Sequence, residues 1–121
     1  MNILFIGGTG NISSACAQLL HQRGHHITLL TRGKHDIPSE YASIVADRNA
    51  PGALKQAMQG RFFDVIADFI CFDESDARTA FEACQGHCGQ YIFISTTVVY
   101  AKPPAVLPIT ETAPKGNKFS E

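Results

Sequence analysis

The sequence predicts a doubly wound α/β domain, a parallel sheet of about five strands with helices on both faces. Three observations predict it. Short apolar runs alternate along the chain with segments whose apolar residues recur at helical spacing. Glycines separate the first run from the first helical segment. The run Val65 to Phe72 is too continuously apolar for a strand with one wet face, and suits one buried on both faces of a parallel sheet.

The elements follow in order. Asn2 to Ile6 is a first strand ended by glycines, and Ile12, Cys16, Leu19 and Leu20 then mark a helix running to Gly24. Ile27 to Leu30 is a second strand, followed by a loop through Thr31-Arg32-Gly33-Lys34 and Pro38. Ile44 to Ala46 is a brief third strand. Pro51 suits the first turn of a helix capped by Asn49, with Leu54, Ala57 and Met58 as its apolar stripe and Gly60 as its end. After the strand from Val65, Asp73 or Ser75 caps a helix carrying Ala77, Ala80, Phe81 and Cys84, closed by Gly86 or Gly89. Tyr91 to Ser95 is the last strand. Beyond Tyr100, four prolines and a polar end with no periodicity read as loop. Residues 1–100 are therefore expected to form the domain and residues 101–121 a Pro-rich loop. A compact domain rarely finishes on such a stretch, so a further C-terminal portion is expected to be missing.

Composition narrows the partners. The chain has 121 residues, 45% of them hydrophobic, enough for one core. Ten Lys and Arg against eleven Asp and Glu leave a net charge of -1, which gives no electrostatic footprint for DNA and argues against RNA. No apolar run approaches the roughly 18 residues of a membrane span, and the apolar start has no basic leader or cleavage site, so the reading is a soluble cytoplasmic protein. The four cysteines read as reduced thiols. Cys84, His87 and Cys88 are the closest approach to a metal motif, but zinc wants a second pair at matching spacing, and no metal site is expected.

The strongest chemical signal is Gly7-Gly8-Thr9-Gly10-Asn11-Ile12-Ser13, between the first strand and first helix. A dinucleotide pyrophosphate must approach backbone N–H groups at a helix N-terminus, and side chains on the turn would block it. Ser13 stands where the fingerprint expects a third Gly or Ala. It is small enough to fit, and its hydroxyl can return to the backbone. The end of the second strand, where an acidic residue would bind the ribose hydroxyls of NAD, reads Leu30-Thr31-Arg32. Arg32 offers a planar fork of donors, Thr31 a hydroxyl and Lys34 a further charge, so NADP is favoured over NAD; the alternative is a solvated basic loop. Asp47 either accepts from the adenine amino group or caps the next helix together with Asn49.

Asp68, Asp73, Glu74 and Asp76 cluster after the fourth strand, and three of them suit a helix N-terminus. Asp68 stands apart. A carboxylate within an apolar run must reach a partner or face the cofactor cleft. His21, His25 and His26 fall at a helix end and the following strand, where the helix dipole explains them without chemistry.

With the glycine turn, the Thr-Arg-Gly segment, Asp47 and the run Phe93-Ile94-Ser95-Thr96-Thr97-Val98-Val99-Tyr100 in order, the chain resembles the NAD-dependent epimerase/dehydratase family, the extended short-chain dehydrogenases. The resemblance implies a Rossmann-like fold, hydride transfer on a sugar nucleotide or similar small hydroxylated substrate, and Gly7, Gly8, Thr9, Gly10, Asn11, Ile12, Thr31, Arg32, Asp47 and Ser95 around the cofactor. It places the catalytic hydroxyl on Thr96, where it would hydrogen-bond the reacting oxygen. It also implies a Tyr-x-x-x-Lys acid/base pair. The fourth residue after Tyr41, Tyr91 and Tyr100 is Val45, Ser95 and Pro104, so the pair is absent, and family spacing puts its Tyr at or past Glu121. The chain alone is then expected to be inactive, and the intact protein can be a homodimer. The competing expectation is a non-catalytic dinucleotide-sensing or RNA-associated module on the same fold.

Overall fold

The computed structural model describes residues 1–116, and the polar, aperiodic chain end expected at 117–121 lies outside the described residues.

Five parallel strands form one sheet: β1 (Asn2–Ile6), β2 (His26–Thr31), β3 (Ala42–Val45), β4 (Phe63–Asp68) and β5 (Cys88–Phe93), in the order β3-β2-β1-β4-β5. Register runs Ile3 beside Ile27 and Val65, and Ile6 beside Leu30 and Asp68. The order reverses direction at β1. Chain leaving β1 turns one way to β2, and β4 arrives on the other side, which opens a crevice at the carboxyl ends of the strands.

Each face is closed by helices. On one, α1 (Asn11–Gln22) packs Ala17, with Cys16 and Leu20, on Ile3, Phe5, Ile27, Leu29 and Ala67. On the other, α2 (Ala53–Met58) and α3 (Glu74–Cys84) pack Leu54, Ala57, Met58, Ala80, Ala83 and Cys84 on Leu4, Ile6, Leu30 and Ile66. Alternation along β1 thus feeds both cores, and both layers are dry, as a parallel sheet requires. Among the described residues no helix is long and apolar enough to cross a membrane.

Several element details differ from expectation. The buried stripe of α1 is Ser13, Cys16, Ala17 and Leu20, while Ile12 (68% exposed) and Leu19 lie outside it. Small residues let the helix approach the sheet, so they, and not the larger aliphatics, take the inner face. α2 starts after Gly52, whose φ of 74° sets the entry, so Pro51 sits in the preceding turn and Asn49 is not the cap. β4 stops at Asp68, and Phe72, read as part of that strand, is 84% exposed. In α3, Asp73 is the cap, accepting from the Asp76 N–H at 2.7 Å, whereas Ala77 and Phe81 face outward. β5 starts three residues before Tyr91 and ends before Ser95. It is an edge strand whose Ile92 and Phe93 are exposed. After a short 3-10 turn at Thr97–Val99, Tyr100 pairs with Lys115, which closes the Pro-rich segment between them into a loop.

Candidate functional site

The crevice at the carboxyl edge is a cavity of about 940 Å³, within the range of cofactor sites. Its walls come from the turn after β1, the loop after β2, the segment after β3, residues 69–72 and the first turn of α3, and the segment after β5.

Gly7 leaves β1 with φ 82°, its N–H donating to the Leu30 carbonyl at 3.0 Å. A Cβ there would lie 2.5 Å from Ile70 Cγ2, so both the conformation and the space require glycine. Gly8 does not line the cavity. A Cβ on it would lie 2.5 Å from Leu29 Cδ2, so this glycine serves the contact between turn and sheet. Gly10 precedes α1, and Ser13, 2% exposed, closes on it from inside the helix: the Gly10 N–H donates to Ser13 Oγ at 2.9 Å, and that hydroxyl donates to the Gly10 carbonyl at 3.1 Å. The hydroxyl expected to return to the helix backbone in fact returns to the residue before the helix. Thr9, Gly10, Asn11 and Ile12 line the cavity, and the first-turn N–H groups of a helix have no intrahelical acceptor. The positive end of the α1 dipole therefore faces the cavity, a setting that favours an anion.

Across from this turn, Thr31, Arg32, Lys34 and His35 form a second wall. Thr31 Oγ1 accepts from the Gly33 N–H at 3.2 Å, so that hydroxyl is partly committed to its own loop. Arg32 and Lys34 are exposed, and among the described residues neither pairs with a carboxylate. His35 brings an imidazole to the same wall, and nothing in its spacing in the sequence singles it out. Asp47 also lines the cavity. Its carboxylate accepts from the Asn49 N–H at 3.0 Å, forming a local turn and no helix cap.

Asp68 is fully buried, and it reaches a partner. Arg48 Nη1 donates to both its oxygens at 2.8 Å, and the Tyr91 hydroxyl donates to Oδ2 at 2.9 Å. Burial alone would lower the Arg48 pKa, but the attraction of Asp68, aided by Asp76, raises it above the usual value. Burial and the adjacent Asp68 push the Tyr91 phenol well above its usual range. Cys71, beside this group, is held up by burial and then by Asp68, which keeps it a thiol. Sequence reasoning missed Arg48 altogether.

Ser95 and Thr96 stand at the far wall, beyond β5. Thr96 Oγ1 accepts from the Val98 N–H at 3.3 Å, so its hydroxyl proton remains to be donated elsewhere. Every residue singled out for a site except Gly8 thus faces one cavity. Among the described residues no three His, Cys, Asp or Glu side chains converge as a metal site. Cys88 donates to the Cys84 carbonyl, and His87 Nδ1 lies 2.9 Å from the Arg61 carbonyl.

Known structures align with this architecture over nearly all of the chain. A UDP-glucose 4-epimerase superposes with a TM-score of 0.82 at 18% identity, covering 98% of this chain and 42% of its own. The UDP-glucose 4-epimerase of Bifidobacterium longum, in complex with NAD+ and UDP, gives 0.79 at 17% identity, covering 96% and 43%. The fold is that of the UDP-glucose 4-epimerases. No family model matches the sequence. Among curated proteins, 2'-dehydrokanamycin reductase of Streptomyces kanamyceticus is 26% identical over 113 residues, 92% of this chain and 32% of that protein. The chloroplast stem-loop binding protein of 41 kDa b of Arabidopsis thaliana is 29% identical over 115 residues, 83% of this chain and 30% of that protein. The chain spans about a third of the length of these curated relatives.

Proposed function

We propose that the chain is the N-terminal, NADP(H)-binding portion of an oxidoreductase of the epimerase/dehydratase kind. The observation that carries this is the convergence on one cavity of the Gly7–Ser13 turn, the Thr31–Arg32 segment, Asp47 and the Ser95–Thr96 segment. The fit to a dinucleotide is physical. The start of α1 offers N–H donors and a dipole for the pyrophosphate, with no side chain on Gly10 to obstruct it. Arg32 and Lys34, free of carboxylate partners among the described residues, suit a 2′-phosphate, and no acidic residue at the end of β2 is there to repel it. Asp47, which lines the same cavity, accepts from the adenine amino group in this reading. The bound nicotinamide supplies the hydride donor or acceptor.

In the complete protein the Thr96 hydroxyl hydrogen-bonds the reacting oxygen of a small hydroxylated substrate, such as a sugar nucleotide. Residues 1–100 form the cofactor-binding domain in this reading, and 101–121 lead to a substrate-binding portion. The chain has no Tyr-x-x-x-Lys, so it binds without turnover. Calorimetric titration of the 121-residue chain with NADPH and NADH tests the proposal. Saturable binding, tighter for NADPH, is expected; no heat from either would overturn it.

A second reading, a non-catalytic dinucleotide-sensing or RNA-associated module on the same fold, draws for its RNA branch on the 29% identity to a stem-loop binding protein. The net charge of -1 weighs against RNA. A gel shift of an RNA hairpin by the wild-type chain that persists at physiological salt and is unaffected by NADPH would favour the RNA branch over the first reading.

A further inference from the structure

At the floor of the cavity, which Arg48 and Asp76 help to line, lies a largely buried charge network that the proposed cofactor contacts do not use. Arg48 directly follows Asp47, yet its side chain turns inward and is 4% exposed. Nη1 holds both oxygens of Asp68, and Nη2 donates to the Asp76 backbone carbonyl in α3 at 3.0 Å. Asp68 Oδ1 also accepts from the Ile70 N–H at 3.1 Å, and Oδ2 from Tyr91. Nε is the one buried side-chain polar atom without a partner among the described residues, 3.9 Å from Asp76 Oδ1.

A buried ion pair is a poor device for stability alone, because well-packed apolar residues commonly do as well. What this pair does instead is join walls. Arg48 ties the segment after β3 to the end of β4 and to the first turn of α3. Asp68 fixes Ile70, and Ile70 is the side chain against which Gly7 of the glycine turn closes. One guanidinium and one carboxylate thereby set the spacing between the Asp47 wall and the turn opposite. The geometry points to Arg48 and Asp68 as positioning residues that hold the adenosine end of the cavity in its binding shape. This rests on the dinucleotide reading above.

The test uses the 121-residue chain with two probes, NADPH and 2′,5′-ADP, the latter carrying the adenosine half alone. In the variant Arg48→Met/Asp68→Asn, the amide oxygen in the place of Oδ1 still accepts from Ile70, the NH2 group in the place of Oδ2 faces the Tyr91 hydroxyl oxygen, and both charges are gone. The expected result is a melting temperature within a few degrees of wild type and a Kd raised about tenfold for both probes. A purely structural pair would lower the melting temperature and leave Kd, measured well below it, unchanged. That outcome overturns the inference. So does a loss confined to NADPH with 2′,5′-ADP unaffected. If the double variant does not fold, Arg48→Lys keeps the charge but cannot reach Asp68 and the Asp76 carbonyl together; a several-fold weaker 2′,5′-ADP complex supports the inference, and an unchanged one overturns it. Wild-type chain that binds neither probe defeats the dinucleotide reading itself, and this inference with it; binding by wild type separates the two.

Discussion

At the Gly7–Ser13 wall the three glycines are closed on by their neighbours: Ile70 abuts Gly7, Leu29 abuts Gly8, and the Ser13 hydroxyl occupies both polar atoms of Gly10. At the Thr31–His35 wall the side chains stand in solvent, and the cations have no carboxylate partners among the described residues. One wall is specified by space and the other by charge. Gly7, Gly8 and Ser13 should therefore tolerate almost no substitution, while the second wall should accept many and change only which ligand is preferred.

The largest effect is expected beneath the filled wall. Asp68→Ala leaves the Arg48 cation buried without its carboxylate, which should cost about 3–5 kcal/mol in urea unfolding. A cost no larger than that of a surface substitution would break the picture of a wall held from below. Next comes Gly7→Ala. The left-handed backbone and the contact with Ile70 together should cost about 1–3 kcal/mol and abolish NADPH binding. Adding Ile70→Ala should return part of the stability by removing the clash but not the backbone strain; full recovery would show that space alone decides this wall.

The charged wall predicts a different pattern. Arg32→Ala should leave the melting temperature in place and weaken NADPH about tenfold, the loss of one charge-assisted hydrogen bond, with NADH little changed. Equal weakening of both cofactors would show that this wall does not read the 2′-phosphate. A separate, alkaline effect is expected in the core. Burial, then the neighbouring Cys88, pushes the Cys84 thiol up from 9.0 to about 12. A thiol ionises earlier in the unfolded chain, so the stability from this site is complete below pH 9 and falls as pH rises toward 12. Tyr91 shifts in the same direction. Urea midpoints across that window should decline, and Cys84→Ala should flatten the decline. Thr96→Ala should leave dinucleotide affinity, measured by the same titration, unchanged, because in the proposed function its hydroxyl serves the substrate and not the cofactor.

The same contrast explains what the sequence made legible. Strand alternation and the glycine turn are local patterns, so β1, α1, the α2 stripe and the parallel sheet could be read directly. The inner face of α1 could not: Ile12 and Leu19 carry the hydrophobicity, but close approach to the sheet selects Ser13 and Ala17. Phe72 and Phe81 mislead in the same way, being apolar residues on outward positions. Asp68 announced the need for a partner, since an apolar run cannot hold a lone carboxylate. The partner itself, 20 residues earlier and looking like one more loop cation, is brought in only by the crossover that sets β4 beside β1. The signal for Arg48 was Asp68's requirement, unsatisfied anywhere within its own strand.

Ser13 has a consequence for binding thermodynamics. A glycine-rich turn left to itself samples many conformations, and a ligand that orders it loses affinity to that ordering. Here the hydroxyl of the first helical turn closes on both polar atoms of Gly10, so the entropy of the turn is surrendered when the chain folds. An anion arriving at α1 meets a receptor already in shape.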